Sequence, residues 1–437
     1  MNELDTLSHL VAAARRAGAD AADALHVANA SLSVSRRLGK VEQLERAEGV
    51  DIGLRVFLGQ RQAIVSTTNP DPAGFAALAE RAVAMARVVP EDPFGGLADR
   101  IDPPRDPAPL DLDDGAEPSA EELIARAAAA EDAALAVRGV TNSEGADAGW
   151  GRVRVALVTS AGFSGAYSRS SHSLSCTALA GEGTGMERDY EWSSVVHLAD
   201  LGDPVEIGRK AAEKAVARLN PTRPKTARIP VVYDPRVSAS LLGHLTGAIN
   251  GASVARGTSF LRDSLGQQVL AKGLTVRDDP TRRRGLRSRP FDGEGMAGQP
   301  RAVVEDGVLT TWLLDWRSAR QLRMASTGHA SRGTGGPPGP APTNLGLDPG
   351  AMTPSALMAD IAELIGMGVN GVTGDYSRGA AGFMIRNGAL AEPVSEITVA
   401  GNLKDIFLHM TPANDLVFRR GSDAPTIRVE GLTLAGA

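Results

Sequence analysis

The chain is poor in the residues that most simple functional assignments need. One cysteine in 437 residues, Cys176, excludes an internal disulfide and any cysteine-rich zinc site. Aromatic residues make up only 4% of the chain, which with its many glycines and prolines points to turns, strand pairs and close backbone contacts. No apolar run approaches the roughly 18 residues that a membrane span requires. The start, "MNELDTLSHLVAAARRAGAD", has helix spacing with Asp5 and paired arginines, not an apolar core followed by a cleavage site. No GxxxxGK[ST] stretch and no GxSxG elbow occur. The expectation is a soluble, cytoplasmic protein that neither crosses a membrane nor binds nucleic acid directly. A net charge of −6 agrees with that. The one basic cluster, "RDDPTRRRGLRSRP" (277–290), has acidic neighbours and reads as a solvated loop.

What is abundant is glycine (49) and proline (26), so many turns and close backbone contacts are expected. Residues 3–18 repeat apolar side chains at helix spacing. "DALHVANASLSVSRRL", "VEQLERAEGVDIGLRVFLG" and "RQAIVSTTN" then read as strands, with turns at Gly39-Lys40, Glu48-Gly49 and Gly59-Gln60. A helix follows at 71–89, with Asp71 as its cap and Pro72 in its first turn. The segment 90–118, rich in Pro and Asp, is a connector. A helix at 119–137, strands near 138–147, 151–159, 165–180 and 187–198, and a helix at 204–219 repeat the pattern. The boundary is placed at "NPTRPKTARIP", giving residues 1–222 and 223–437; the first part divides alternatively into two α/β units joined by 90–118.

The second part reads as short strands and glycine turns, with hairpins at Asp306-Gly307 and Asn387-Gly388. Six glycines and five prolines in 331–350 argue against a helix or central strand there. "PSALMADIAELIGMG" (354–368) reads as an amphipathic helix. The fold class expected is α+β: an N-terminal domain of antiparallel strands with helices, then a β-rich C-terminal domain with a few helices.

Two histidines raise chemical questions. His172 stands among serines in "SSHSLSC", which leaves a Ser–His pairing open. His244, in "LLGHLTGAING", lies on a helical pattern, but Leu245 follows it, and Ala248 and Ile249 stand four and five residues on. Zinc hydrolysis needs paired ligands and an acid to activate water. The other histidines (His9, His26, His197, His329, His409) show no paired spacing.

Several long stretches, in order, resemble the TldD/PmbA family of bacterial peptidase subunits over nearly the whole chain. They are "RLGKVEQLERAEGVDIGLRVFLGQRQAIVSTT", "ERAVAMARVVPEDPFGGLAD", "LLGHLTGAINGASVARGTSFLRDSLGQQV", "RSRPFDGEGMAGQPRAVVEDGVL" and "PTIRVEGLTLAG". The resemblance is closest to the PmbA/TldE branch. In the TldD branch the corresponding helix carries HExxxH, and a cysteine near the C-terminus is a third zinc ligand. Those helix positions fall on Gly243, His244 and Ala248 here, and the C-terminal segment has no cysteine.

The resemblance implies a non-catalytic subunit without cofactor, whose TldD-type partner holds zinc. The pair would be a heterodimeric metallopeptidase acting on unfolded or small peptides, including precursors of modified peptides. An extended peptide is naturally held by strand addition. His244, Thr258, Ser259, His329 and Arg332 are the expected lining of the peptide chamber. The alternatives are a self-sufficient homodimeric peptidase, using His244 with His329 or His409, and a regulatory protein-binding factor of the gyrase-modulator type.

Overall fold

The computed structural model describes residues 2–98, 106–358, 362–363 and 370–436. The first part contains α1 (Glu3–Arg16), β1 (Ala21–Arg37), β2 (Lys40–Leu58), β3 (Arg61–Thr67) and α2 (Phe75–Val88). After the connector come α3 (Ala120–Leu135), β4 (Val140–Thr159), β5 (Ser164–Ala180), β6 (Glu187–Val195) and α4 (Pro204–Ala217). All six strands form one antiparallel sheet in the order β3-β2-β1-β4-β5-β6. Its halves meet along β1 and β4, which pair from Asp23↔Thr159 to Arg36↔Ala146.

The strands are long because period-two patterning runs through stretches that contain glycine. Two expected breaks are absent. Glu48-Gly49 is no turn: it is extended and pairs with Ala30 and Asn29. Likewise β4 is continuous through Gly149–Gly151. A Cβ at Gly149 would lie 2.9 Å from the Ser173 hydroxyl, so these glycines permit close strand approach instead of turning the chain.

Even-numbered side chains of β1, β2, β4 and β5 carry the helices. Ala22, Ala24, Ile52, Leu54 and Val56 pack under α1 and α2, while Leu32, Val34, Ala146, Ala148 and Leu174 pack under α3 and α4. Capping fixes the helix starts: Asn2 with Asp5, and Ser119 with Glu122, form reciprocal capping boxes. The odd-numbered face turns toward the second part. Leu25 and Leu157 pack there with Phe163 and Phe291, whose rings meet edge-on at 4.9 Å.

The second part opens with β7 (Ala227–Tyr233), α5 (Pro235–Ala248) and α6 (Gly251–Ala255), followed by β8 (Val276–Asp278), β9 (Arg301–Glu305), β10 (Val308–Leu309) and α7 (Trp316–Leu322). Then come β11 (Ala330–Ser331), β12 (Gly339–Pro340), β13 (Leu345–Leu347), α8 (Pro354–Leu357) and β14 (Ala362–Glu363). It ends with β15 (Asp375–Arg386), β16 (Ala389–Asn402), α9 (Leu403–Leu408), β17 (Met410–Pro412), β18 (Ser422–Asp423) and β19 (Ile427–Ala435).

Two sheets dominate, ordered β10-β9-β8-β13-β18 and β16-β15-β14-β7-β19-β17. One core unites them with α5, through Leu241, Leu242, Leu245, Trp312, Leu345 and Ile427. The fold is α+β, as expected.

Three local expectations need correction. The 331–350 segment does supply an interior strand: β13 lies between β8 and β18, and Gly346 is used there because Phe418 fills the space a Cβ would need. Of the helix expected at 354–368, Pro354–Leu357 is helical and Ala362–Glu363 is strand; the remainder, apart from Met358, lies outside the described residues. The basic stretch 277–290 is not simply a solvated loop. Arg284 bonds Asp111 and Asp200, Arg289 donates to the Ala330 carbonyl, and Arg282 stacks 3.6 Å over Phe418. Through Arg283 and Arg284 it ties the two parts of the chain together.

Candidate functional site

Helix α5 carries the position singled out by sequence. Asp234 caps it by accepting the Arg236 N–H, and Pro235 supplies a preset first turn. Leu241, Leu242, Leu245 and Ala248 face the core, which leaves Gly243 and Gly247 exposed and His244 half-buried. Ala248 is only 3% exposed. Gly243 and Ala248, the positions that the resemblance sets against the two histidines of HExxxH, therefore stand in different environments, one bare and in solvent, the other in the core.

His244 Nε2 lies 3.1 Å from Arg378 Nη2 on β15. A guanidinium only donates, so Nε2 accepts and the imidazole proton sits on Nδ1. Burial first, then the Arg378 charge, lower the His244 pKa to about 4. The ring is neutral near pH 7. Tyr376 meets it edge-on at 6.2 Å, and Arg378 lies 5.7 Å from the centre of the Tyr376 ring. Burial raises the pKa of the Tyr376 phenol and of nearby Tyr233.

This arrangement is a poor fit for zinc. The lone pair a metal would take already accepts from a cation, and the guanidinium would repel a second one. Among the described residues no group of three or more His, Cys, Asp or Glu could hold a metal ion. His329 and His409, the alternative ligands, are engaged elsewhere: His409 Nδ1 lies 2.8 Å from the Asp405 carbonyl.

The expected chamber residues separate into two groups. His244 and Thr258 reach solvent, the latter donating its hydroxyl to the Ser253 carbonyl at 3.2 Å. Ser259, His329 and Arg332 turn inward, which corrects their assignment to a lining. Ser259 Oγ donates 2.6 Å to the Ala248 carbonyl and so fastens the end of α5. His329 is 1% exposed, between Asp278 at 3.0 Å and Thr327 at 2.8 Å. Burial alone would raise the Asp278 pKa, but His329 and Thr343 bring it below the ordinary value. His172 is also interior, with Nε2 3.0 Å from the Asp114 carboxylate.

Arg332 belongs to a buried ionic cluster that no local motif announces. Asp23 on β1 accepts from Arg55 on β2 at 3.0 and 2.5 Å, and from Arg332 at 2.8 Å. Both arginine side chains are 4% exposed. Burial pushes Asp23 up, yet the two guanidiniums outweigh it and hold the carboxyl below its usual value. Glu294 lies 4.0 Å from Arg55 and accepts the Trp316 N–H at 2.8 Å. Burial, then the neighbouring Asp292, push Glu294 up to about 8. Beside the cluster, the 331–336 turn is seated on the sheet: a Cβ at Gly53 would fall 2.2 Å from the Thr334 carbonyl oxygen. The only hint in sequence is an acid inside the apolar start of β1. Its partners, Arg55 and Arg332, come from two distant segments.

Family models described as PmbA/TldA metallopeptidase domain 1, central domain and C-terminal domain match residues 22–86, 113–219 and 226–436. The chain is 39% identical to Metalloprotease PmbA of Escherichia coli O157:H7, across 93% of this chain and 90% of that one. It is 35% identical to a Metalloprotease PmbA homolog of Haemophilus influenzae, across 98% and 95%. Among solved structures, a Bacteroides thetaiotaomicron protein named for modulation of DNA gyrase superposes with a TM-score of 0.86 at 25% identity, covering 99% of this chain and 98% of that one. TldE from Thermococcus kodakarensis has the same fold, with a TM-score of 0.85 at 18% identity over 98% and 99%. This chain belongs to the PmbA/TldD family.

Proposed function

We propose that this chain is a PmbA/TldE-type subunit of a cytoplasmic heterodimeric zinc metallopeptidase, and that it is the non-catalytic half. The TldD-type partner would hold the zinc and carry out hydrolysis. This chain would complete the enclosure and help hold an extended, unfolded or small peptide. The supporting observation is the α5 position. Gly243 offers no ligand, His244 accepts from Arg378 while burial and that cation keep it neutral, and Ala248 is packed in the core. No acid stands where a zinc-bound water would be activated.

The test is zinc content and casein cleavage by the purified chain, alone and mixed with a TldD-type partner. The reading expects neither zinc nor cleavage alone, and cleavage in the mixture. Stoichiometric zinc with cleavage by this chain alone would establish the homodimeric peptidase instead.

A further inference from the structure

The six-stranded sheet has two different edges. At the β6 edge two of the outward N–H groups are closed by the chain itself. Tyr190 N–H donates to the Asp189 carboxylate at 2.7 Å, and Trp192 N–H to Glu191 at 3.1 Å. Arg236 and Lys214 hold those carboxylates in place, at 2.6 Å each. Such side-chain capping protects an edge from pairing.

The other edge is open along half of β2. β3 pairs only with Ile52–Leu58, so among the described residues β2 has no outer neighbour before Ile52. Lys40–Gly49 are exposed on both faces, and Leu44 is 50% exposed. The β1–β2 register slips between Ser35 and Arg36, leaving Glu42 as the bulged residue. Regular free edge therefore runs from Gln43 to Asp51. A bulge re-aims the hairpin beyond it.

We propose that this edge, Gln43–Asp51, pairs antiparallel with the same edge of a second copy, on a two-fold axis through Ala47. A two-fold axis normal to the sheet keeps each side chain on its own face, so residues pair only when their numbers add to an even total. Three registers keep nearly the whole free segment paired. Centring on Arg46 sets Arg46 against its own copy, and centring on Glu48 sets Glu48 against its copy and Glu45 against Asp51. Like charges directly opposed are unfavourable.

Centring on Ala47 gives Arg46 against Glu48, Leu44 against Val50, Glu45 against Gly49 and Gln43 against Asp51. No like charges meet. Leu44 gains an apolar neighbour, and Arg46, which within its own chain bonds Glu48 at 2.7 Å and Glu117 at 2.9 Å, meets the other copy's Glu48 in a ring of alternating charge. The lengths also match. In this register Gln43 of one copy stands opposite Asp51 of the other, so the bulge at Glu42 falls where the slot filled by β3 begins. The ladder would add on the order of eight to ten backbone hydrogen bonds. Two strands alone bury less than the roughly 1,600 Å² of a standard interface, so a weak, concentration-dependent dimer is expected. The proposal rests on the β2 edge and not on the reading of the α5 site.

Register-specific crosslinking tests it. The only native thiol, Cys176, is fully buried, so an introduced cysteine is the one reactive thiol. Under mild oxidation Ala47→Cys should give a covalent dimer in high yield, well above Arg46→Cys or Glu48→Cys. Sedimentation velocity of the unmodified chain across roughly 1–100 μM should show reversible dimerisation. Arg46→Glu and Glu48→Arg, each shown folded by circular dichroism, should each abolish it, and an equimolar mixture of the two should restore it as a heterodimer. Preferential crosslinking at 46 or 48, a monomer throughout the range, or no recovery in the mixture would overturn the proposal.

Discussion

Replacing Asp23 with asparagine tests how the two parts of the chain are joined. Asp23 is fully buried and is the one carboxylate shared by Arg55 and Arg332. Without its charge, two guanidiniums of 4% exposure face each other. Glu294 stands 4.0 Å from Arg55, but burial and Asp292 raise its pKa to about 8 in the parent, so it is a weak substitute for the Asp23 charge. An uncompensated buried charge of this kind costs about 3–5 kcal/mol.

Arg332→Met should cost less, about 1–2 kcal/mol. It removes one ion pair, but also a guanidinium whose Nε and Nη2 have no partner among the described residues and whose charge opposes that of Arg55. The double variant should therefore be more stable than Asp23→Asn alone. Urea unfolding at pH 7, followed by tryptophan fluorescence, reads all three; Trp316 adjoins the cluster through its bond to Glu294. If Asp23→Asn stays within about 1 kcal/mol of the parent, or if the two substitutions simply add, then the cluster does not behave as a coupled unit.

Three further outcomes follow from single groups. Glu294, raised to about 8, binds a proton in the native state that an unfolded glutamate releases near 4.5, so stability should fall as pH rises from about 5 to 8. Glu294→Gln should gain on the parent over that range, as read from urea midpoints at several pH values. His244, depressed to about 4, contributes stability that is full above its unfolded value near 6.5 and is lost as pH falls toward 4. Its ring resonance should titrate near 4 by NMR. Arg378→Met should move that midpoint only part of the way back, because burial is the larger cause. Finally, two helical glycines should respond with opposite sign in thermal melts. Gly208→Ala places a Cβ 1.8 Å from the Ala130 carbonyl oxygen and should cost about 1–3 kcal/mol or more. Gly243→Ala meets open space and should stabilise by about 0.5–1 kcal/mol.

The sequence by itself determined the elements whose signals are local. Helix spacing, the Asp71 cap followed by Pro72, and period-two runs for β1 to β6 come from neighbouring residues acting on one another. That Leu245, Ala248 and Ile249 give His244 no paired ligand on its helix was equally legible, because ligand chemistry belongs to residue type. Glycine-based breaks misled: Gly49 and Gly149 lie within strands, and only neighbouring strands show why a glycine can stand there.

Tertiary structure alone decided what His244 meets and where Arg332 goes. Arg378 lies 134 positions from His244, and Asp23 lies 309 from Arg332. Contacts at such separation leave no periodic trace. A buried arginine reads in sequence like a solvated one until the carboxylate that neutralises it is brought beside it.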